Sequence, residues 1–354
     1  MGKIRVGVLF GGCSTEYEVS LSSAAAALEH MNRDKYEVVM IGITRDGRWY
    51  RYYGDLADIR EDRWSSQSAQ CVPAVLSPSK ETRGLIELVH TEFHITTLDV
   101  VFPVLHGKNG EDGTVQGLLE LSGLPFVGCG TLSSAICMDK AVAKNVVQAA
   151  GMEVPPSITV LAGDSIAEAV GAAAKLGFPL YVKPSRSGSS IGITKAYTEQ
   201  ELISGIEEAF AHDGKVVIEQ HVNGFEVGCA ILGDASQPII GEIDEIALTG
   251  EFFDHEEKYS LGTAAIHLPA RIDNDMADKV KAMALRIYSV LGCSGLARVD
   301  LFYASDGRLL FNEVNTLPGF TAHSRYPNMM KHAGIDFPEL LDRLIELETA
   351  KAPL

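Results

Sequence analysis

The sequence has no CxxC pair and no Cys/His cluster; its six cysteines, Cys13, Cys71, Cys129, Cys137, Cys229 and Cys293, are scattered along the chain. A zinc site and a disulfide framework therefore lack support, and the thiols are expected to be small packing side chains in a reducing compartment. No GxxxxGK[ST] string occurs, and neither Gly11-Gly12 nor Gly128-Cys129-Gly130 completes a GxGxxG fingerprint. A Walker loop is thus excluded, and a dinucleotide-dependent oxidoreductase is disfavoured. Positive charge is scarce, with 30 Lys and Arg against 47 Asp and Glu, and no stretch is basic. Nucleic acid and anionic membrane surfaces are poor partners for a chain of net charge -17. No apolar run reaches membrane-spanning length, and Met1–Phe10 enters strand-like sequence with no charged leader region, so a cytoplasmic location is expected. The two tryptophans, Trp49 and Trp64, stand in a polar region and read as packing or surface residues.

What is present is an alternation of short β-branched runs and helical stretches over 354 residues, which predicts an α/β class, α+β overall. Ile4–Phe10, the Ala-rich stretch Val19–Met31 and Val38–Ile43 form a βαβ unit, and Val100–Leu105 adds another buried strand before the polar loop His106–Gly113. Residues 1–130 are therefore expected to be a parallel-sheet α/β domain. Ser133 opens one long helix ending at Gly151, and Val154-Pro155-Pro156 leads into a second unit, 131–215. A third unit, 216–354, holds the loop Thr249–Ala264, a helix from Asp273 to Leu291, strands Ala297–Tyr303 and Leu309–Val314, and closing helices.

Three constellations carry chemistry. Arg298 and Asp300 alternate along one strand and Glu313 and Asn315 along the next, so each pair shares a face. Three hard oxygen donors suit Mg2+ shared with substrate phosphates; the same residues would equally make an ion-pair ladder across two strands. Lys183, ending a strand, precedes the Ser/Gly loop Pro184–Gly192, which offers a cation and backbone N–H groups to phosphate, or is simply a flexible connection. Glu219-Gln220-His221-Val222 leads toward Glu226, an extended run able to bond an adenine edge and ribose hydroxyls. His106 lies at a predicted strand end, where α/β ligand sites gather. Glu16 and Glu18 flank the first strand-to-helix turn, where one would hold an ammonium or either would pair with the helix N-terminus.

Six strings, Gly11–Ser20, Leu105–Gly113, Met138–Lys140, Lys183–Gly192, Arg298–Asp300 and Asn312–Gly319, resemble the D-alanine–D-alanine ligases, in order, from about Ile4 to Leu344. The resemblance implies an N-terminal α/β domain followed by a two-part ATP-grasp domain, a D-alanyl phosphate intermediate, and ATP with two Mg2+ ions as cofactors, Mn2+ being able to substitute. It implies that Lys140, Lys183 and Ser190 bind nucleotide phosphates, that Glu219, Gln220, His221 and Val222 line the adenine, and that Glu226 meets the ribose. Asp300, Glu313 and Asn315 would hold the metal ions. Glu16 would take the ammonium of the first D-alanine beside His106, with Ser189 and Tyr259 linking it to a mobile loop whose Lys258 reaches the γ-phosphate. Arg298 and the N–H of Gly319 would form an oxyanion hole, and Ser324 would receive the second substrate's carboxylate. Ser324-Arg325-Tyr326-Pro327, Cys13 and Cys137 look more like the vancomycin-resistance ligases that add D-serine or D-lactate, which brings Arg325 into the second-substrate set. The retained Tyr259 disfavours D-lactate and leaves D-alanine and D-serine as second substrates. The partners implied are small amino acids and a second copy of the chain in a homodimer; a non-catalytic nucleotide or amino-acid sensor is the rival reading.

Overall fold

The computed structural model describes residues 2–234, 236–248, 264–321 and 323–350. The N-terminal part contains β1 (Ile4–Gly11), α1 (Tyr17–His30), β2 (Tyr36–Ile43), β3 (Trp49–Tyr52), α2 (Leu56–Arg60), β4 (Cys71–Leu76), β5 (Gly84–Val89), β6 (Glu92–Thr97), β7 (Val100–Pro103) and α3 (Thr114–Ser122). Its sheet runs β6-β5-β4-β3-β2-β1-β7. Only β2, β1 and β7 are parallel; β3 to β6 extend the sheet by antiparallel pairing. The sheet is therefore mixed, not parallel as expected. β4 is apolar but interrupted by Pro73, and β6 is largely exposed and mixes polar with apolar residues, so neither reads as a buried strand in sequence. Beyond β7 the sheet is met by one isolated parallel bridge, between Val101 and Phe126.

β1 is apolar on both faces because both are covered. Val6, Val8 and Phe10 share a core with Leu21, Ala24 and Leu28 of α1, while Leu9 joins Val101, Val115 and Leu119. Trp64 is fully buried against Phe10 and donates its indole N–H to Tyr17 Oη at 2.9 Å.

The helix expected from Ser133 to Gly151 is two helices, α4 (Thr131–Met138) and α5 (Lys140–Ala149), broken at Asp139. Asp139 caps α5, accepting the Val142 N–H at 3.2 Å, and also accepts the Ser185 hydroxyl at 2.8 Å. An aspartate serves better at a cap than inside a helix, and the break starts α5 at Lys140.

The central unit holds β8 (Ser157–Leu161), α6 (Ile166–Ala173), β9 (Leu180–Pro184), β10 (Thr194–Ala196), α7 (Glu199–His212) and β11 (Lys215–Gln220). Its four strands run in the order β10-β9-β11-β8. The boundary expected at 215 falls within β11, which pairs with both β8 and β9.

The last part contains β12 (Gly224–Leu232), β13 (Ile239–Leu248), β14 (Ala264–His267), α8 (Asn274–Val290), β15 (Leu296–Ala304), β16 (Leu309–Asn315), α9 (Arg325–His332) and α10 (Phe337–Thr349). Its sheet runs β14-β13-β12-β15-β16, and α8 packs over one face. The final helices turn back: Tyr326, Met329, Leu340, Leu341 and Leu344 lie in the same core as β1 and α1. Lys35 reaches Asp342 at 2.6 Å. At about 2 kcal/mol for each fully buried leucine, these residues tie the two ends of the chain together.

All six cysteines are free, four of them buried. Among the described residues, no helix is long and apolar enough to cross a membrane.

Candidate active site

The open face of the C-terminal sheet gathers the late cluster. Arg298 pairs with Asn315 and Asp300 with Glu313 across β15 and β16, so all four side chains project together. Arg298 grips Asp300 in a fork at 2.7 to 3.0 Å, and Asn315 Nδ2 donates to Asp300 at 2.9 Å. Among the described residues no three His, Cys, Asp or Glu side chains gather into a metal cage. Two carboxylates and an amide leave a shell for water and phosphate oxygens to complete, which is the habit of Mg2+. Buried Asp300 already draws Arg298 and Arg325, and half-buried Glu313 draws Lys140, so the donor set fits a cation.

Facing this sheet across a cleft are two lysines. Lys140, set by the Asp139 cap, places Nζ 3.3 Å from Glu313 and donates to the Ser187 carbonyl at 2.9 Å. Lys183 is buried near the Tyr181 and Phe302 rings and bonds Glu219 at 2.8 Å. Glu219 is also paired with Lys144, a residue that the sequence reading passed over. Burial pushes the Glu219 carboxyl up, but Lys144 and then Lys183 outweigh it and hold it at about 2. The Glu219 side chain is therefore a brace for the lysines. Lys144 lies one helical turn after Lys140, a spacing visible in the sequence.

A cavity of about 160 Å3 lies here, lined by Lys183, Ser190, His221, Val222, Glu226 and Phe302 among others. Gln220 lies on its flank and turns its side chain to the Leu176 carbonyl at 2.5 Å. Glu226 accepts from Asn312 at 3.1 Å and from Arg325 at 3.2 Å.

An adjoining cavity of about 290 Å3 shares Lys140, Gly188, Ser189 and Glu313 and is lined further by Glu16, His106, Arg298, Gly319 and Ser324. Ser189 donates to Glu16, joining the Ser/Gly loop to the first strand-to-helix turn. Ser189 and Ser190 both take left-handed backbone, with φ of 49° and 59°, a costly conformation for residues with a Cβ. Gly188 must lack a side chain, since a Cβ there would lie 2.6 Å from Glu16 Oε2.

His106 is fully engaged. Its Nδ1–H donates to the Leu317 carbonyl at 2.9 Å, which leaves Nε2 to accept the Ser23 hydroxyl at 3.1 Å. Burial lowers its proton affinity, so the ring is neutral. Ser23 in turn accepts the Phe320 N–H at 3.1 Å. Glu111 holds the other backbone group of the same residue, accepting the Leu317 N–H at 3.3 Å, and also accepts the Gly107 N–H at 2.7 Å. Burial, and then the charge of Glu16, raise the Glu111 carboxyl to about 8. His106 and Glu111 thus clamp the segment carrying Gly319. Ser324 closes the cavity as the N-cap residue of α9, its hydroxyl 2.8 Å from Thr321 Oγ1. The Arg325 guanidinium is turned into an acidic cluster with Asp244, Glu226 and Asp300. Tyr259, Lys258 and residues 249–263 of the expected lid lie outside the described residues, and Ala264, its last residue, opens β14.

Residues 5–129 match the family model described as D-ala D-ala ligase N-terminus, and residues 146–346 that described as D-ala D-ala ligase C-terminus. The chain belongs to the D-ala D-ala ligase family. It is 43% identical to a D-alanine–D-alanine ligase of Caldicellulosiruptor bescii, over 99% of this chain and 96% of that one. It is 46% identical to the vancomycin/teicoplanin A-type resistance protein VanA of Enterococcus faecium, over 98% of this chain and 99% of that one. The crystal structure of VanG D-Ala:D-Ser ligase from Enterococcus faecalis superposes with a TM-score of 0.91 at 50% identity, covering 98% of this chain and all of that one. The chain is an ATP-dependent ligase with the mixed α/β architecture of this family.

Besides Lys144, the residues absent from the sequence reading are Glu111, Ser23 and Asp244. Glu111 stood inside a quoted string, and its value lies in where Leu317 comes to rest, 206 positions away. Ser23 carries no sequence signal. Asp244 stands on β13, a strand that the sequence reading did not anticipate.

Proposed function

We propose that this ligase joins D-alanine to D-serine or to a second D-alanine through a D-alanyl phosphate, for peptidoglycan precursors or glycopeptide resistance. The observation that carries the reading is the meeting of three groups in two adjoining cavities. These are the oxygen donors Asp300, Glu313 and Asn315, the lysines Lys140 and Lys183, and the Glu16–Ser189 pair. Asp300, Glu313 and Asn315 would hold two Mg2+ ions, with Mn2+ able to replace them, and the ions would offset the charge of the transferring phosphoryl group.

The protein's own residues do the rest. Lys140 and Lys183 place positive charge along the phosphates, lowering repulsion between nucleotide and the attacking carboxylate. Glu16 takes the ammonium of the first D-alanine and turns its carboxylate toward that line. Arg298 and the N–H of Gly319 receive the negative oxygen that forms when the second amine attacks the acyl carbon. The clamp of His106 and Glu111 on Leu317 fixes where that N–H stands. Ser324 and the N-terminus of α9 attract the second carboxylate. Tyr259 and Lys258 complete the site as the loop 249–263 closes against water. Two copies of the chain associate in the cytoplasm.

The test is phosphate release with ATP, Mg2+ and D-alanine alone, then with added D-serine or D-lactate, each product identified by mass. A D-Ala–D-Ser product exceeding D-Ala–D-Ala supports the resistance role, and dipeptide from D-alanine alone the ordinary one. No phosphate release with any pair refutes the ligase reading for this site. Sedimentation of the intact chain as a monomer at micromolar concentration would refute the dimer.

A further inference from the structure

Asp244, Gly228, Asp300 and Glu313 are register partners in one line across β13, β12, β15 and β16. Three of the four positions in that line carry carboxylates and the fourth has no side chain. The space over the glycine is filled from outside the sheet, by Arg325 at the start of α9. A Cβ at residue 228 would lie 2.3 Å from Arg325 Nη2, 2.6 Å from Asp244 Oδ1 and 2.9 Å from Asp300 Oδ1. The guanidinium forks onto Asp244 with Nε at 2.7 Å and Nη2 at 2.8 Å. It also donates from Nη1 to Glu226 at 3.2 Å and stands 3.3 Å from Asp300 Oδ1. The second oxygen of Asp300 is taken by Arg298 at 2.7 Å and Asn315 at 2.9 Å.

We propose that Arg325 is a positioning residue of the cation site, fixing the orientation of Asp300 and Glu226, and is not a contact for the second substrate. The proposal rests on the ligase reading in that Asp300 is taken as a metal ligand. Arg298 forks across both Asp300 oxygens, and Arg325 stands 3.3 Å from Oδ1 on the Gly228 side, so the carboxylate is held between two guanidiniums. Among the described residues the charged partner bonded to Asp244 is Arg325, and Asp244 also accepts the Gly228 N–H at 3.1 Å, so it holds Arg325 over the glycine. Fully buried and 0% exposed, Asp244 would be costly without that fork. Arginine reaches three carboxylates while forking onto Asp244 with two parallel bonds, and a lysine of the same charge cannot reproduce that planar fork. Second partners that orient a metal ligand in this way typically change metal affinity by 10 to 100-fold when removed.

The experiment uses charge-conserving variants, so that a change in net charge does not mimic a change in orientation. Arg325→Lys keeps the cation and loses the fork. Gly228→Ala keeps every charge and crowds the Arg325 guanidinium together with the Asp244 and Asp300 carboxylates, so it perturbs the whole seat, and Arg325→Lys is the variant that decides. Mn2+ binding is measured from the electron paramagnetic resonance signal of the free ion, with the full chain and a non-hydrolysable ATP analogue. Both variants are expected to raise the Mn2+ dissociation constant about tenfold or more. At saturating Mg2+ the KM for the second amino acid should change less than twofold, and activity lost at low Mg2+ should return as Mg2+ is raised. Arg325→Lys with Mn2+ binding within twofold of the unsubstituted protein overturns the proposal, whatever else changes. A tenfold rise in the second KM alone would make Arg325 a substrate contact. The titration needs no amino acid, so it decides the role of Arg325 even where no amino-acid pair releases phosphate, the result that counts against the ligase reading instead. Mn2+ that fails to bind the unsubstituted protein with nucleotide overturns both.

Discussion

Lys144→Met tests whether Glu219 is a brace for the phosphate-binding lysines. Glu219 and Lys144 are both buried, and Lys183 supplies the only other cation bonded to that carboxylate among the described residues. Holding Glu219 at about 2 in place of its ordinary 4.5 corresponds to about 3 kcal/mol, at about 1.4 kcal/mol for each tenfold change in proton affinity. Lys144 contributes the larger share, and its own burial cost, which lowers its proton affinity, is relieved when it is replaced. The variant should therefore lose about 2 kcal/mol, below the 3–5 kcal/mol of a fully orphaned buried charge because Lys183 remains. A carboxyl whose folded proton affinity is depressed contributes stability that is complete above its ordinary 4.5 and is lost as pH falls toward about 2. The gap between the two proteins should thus be widest near pH 7 and shrink in acid. Urea unfolding of both proteins at pH 7, 5 and 3 measures it, and the KM for ATP should rise as Glu219 draws more strongly on Lys183. A variant within about 0.5 kcal/mol of the parent at pH 7 would refute the reasoning. So would a deficit that stays constant down to pH 3.

Glu313→Ala should reduce ATP-dependent phosphate release about a thousandfold, since it removes a metal donor and the partner of Lys140; near-normal turnover would overturn the cation site. Ser23→Ala breaks the link between His106 and the Phe320 N–H. It should lower kcat about tenfold to a hundredfold through a misplaced Gly319 segment while leaving the KM for ATP unchanged; a rise confined to that KM would point elsewhere. Glu111, raised to about 8, holds a proton when folded that the unfolded chain releases above its ordinary 4.5. Its contribution to stability therefore falls as pH rises through that window. Glu111→Gln should flatten the decline in melting temperature between pH 5 and pH 8, and an unchanged slope would speak against a neutral Glu111.

The division between sequence and structure follows range of interaction. The βαβ start, the helix over Asn274–Val290 and the strands carrying Arg298 to Asn315 were legible because their patterns repeat within a few residues. The sharing of a face by Arg298 with Asp300, and by Glu313 with Asn315, followed from strand alternation alone. Local chemistry misled at residues 131–149, where a helical pattern hid the Asp139 cap, because what fixes that cap is Ser185 and Lys215 from β9's end and β11. The mixed sheet was hidden for the opposite reason: β4 to β6 are held by cross-strand pairing at an edge, and a half-solvated strand leaves only a weak trace in sequence. The sequence by itself determined which residue types stand ready for phosphate, cation and ammonium, since donor chemistry belongs to each side chain. Only the tertiary structure decided what each one touches. It turned Glu219 inward onto two lysines, bound both nitrogens of His106 and seated Arg325 over Gly228, because an unpaired buried charge is costly and each of these groups takes the partner the fold provides.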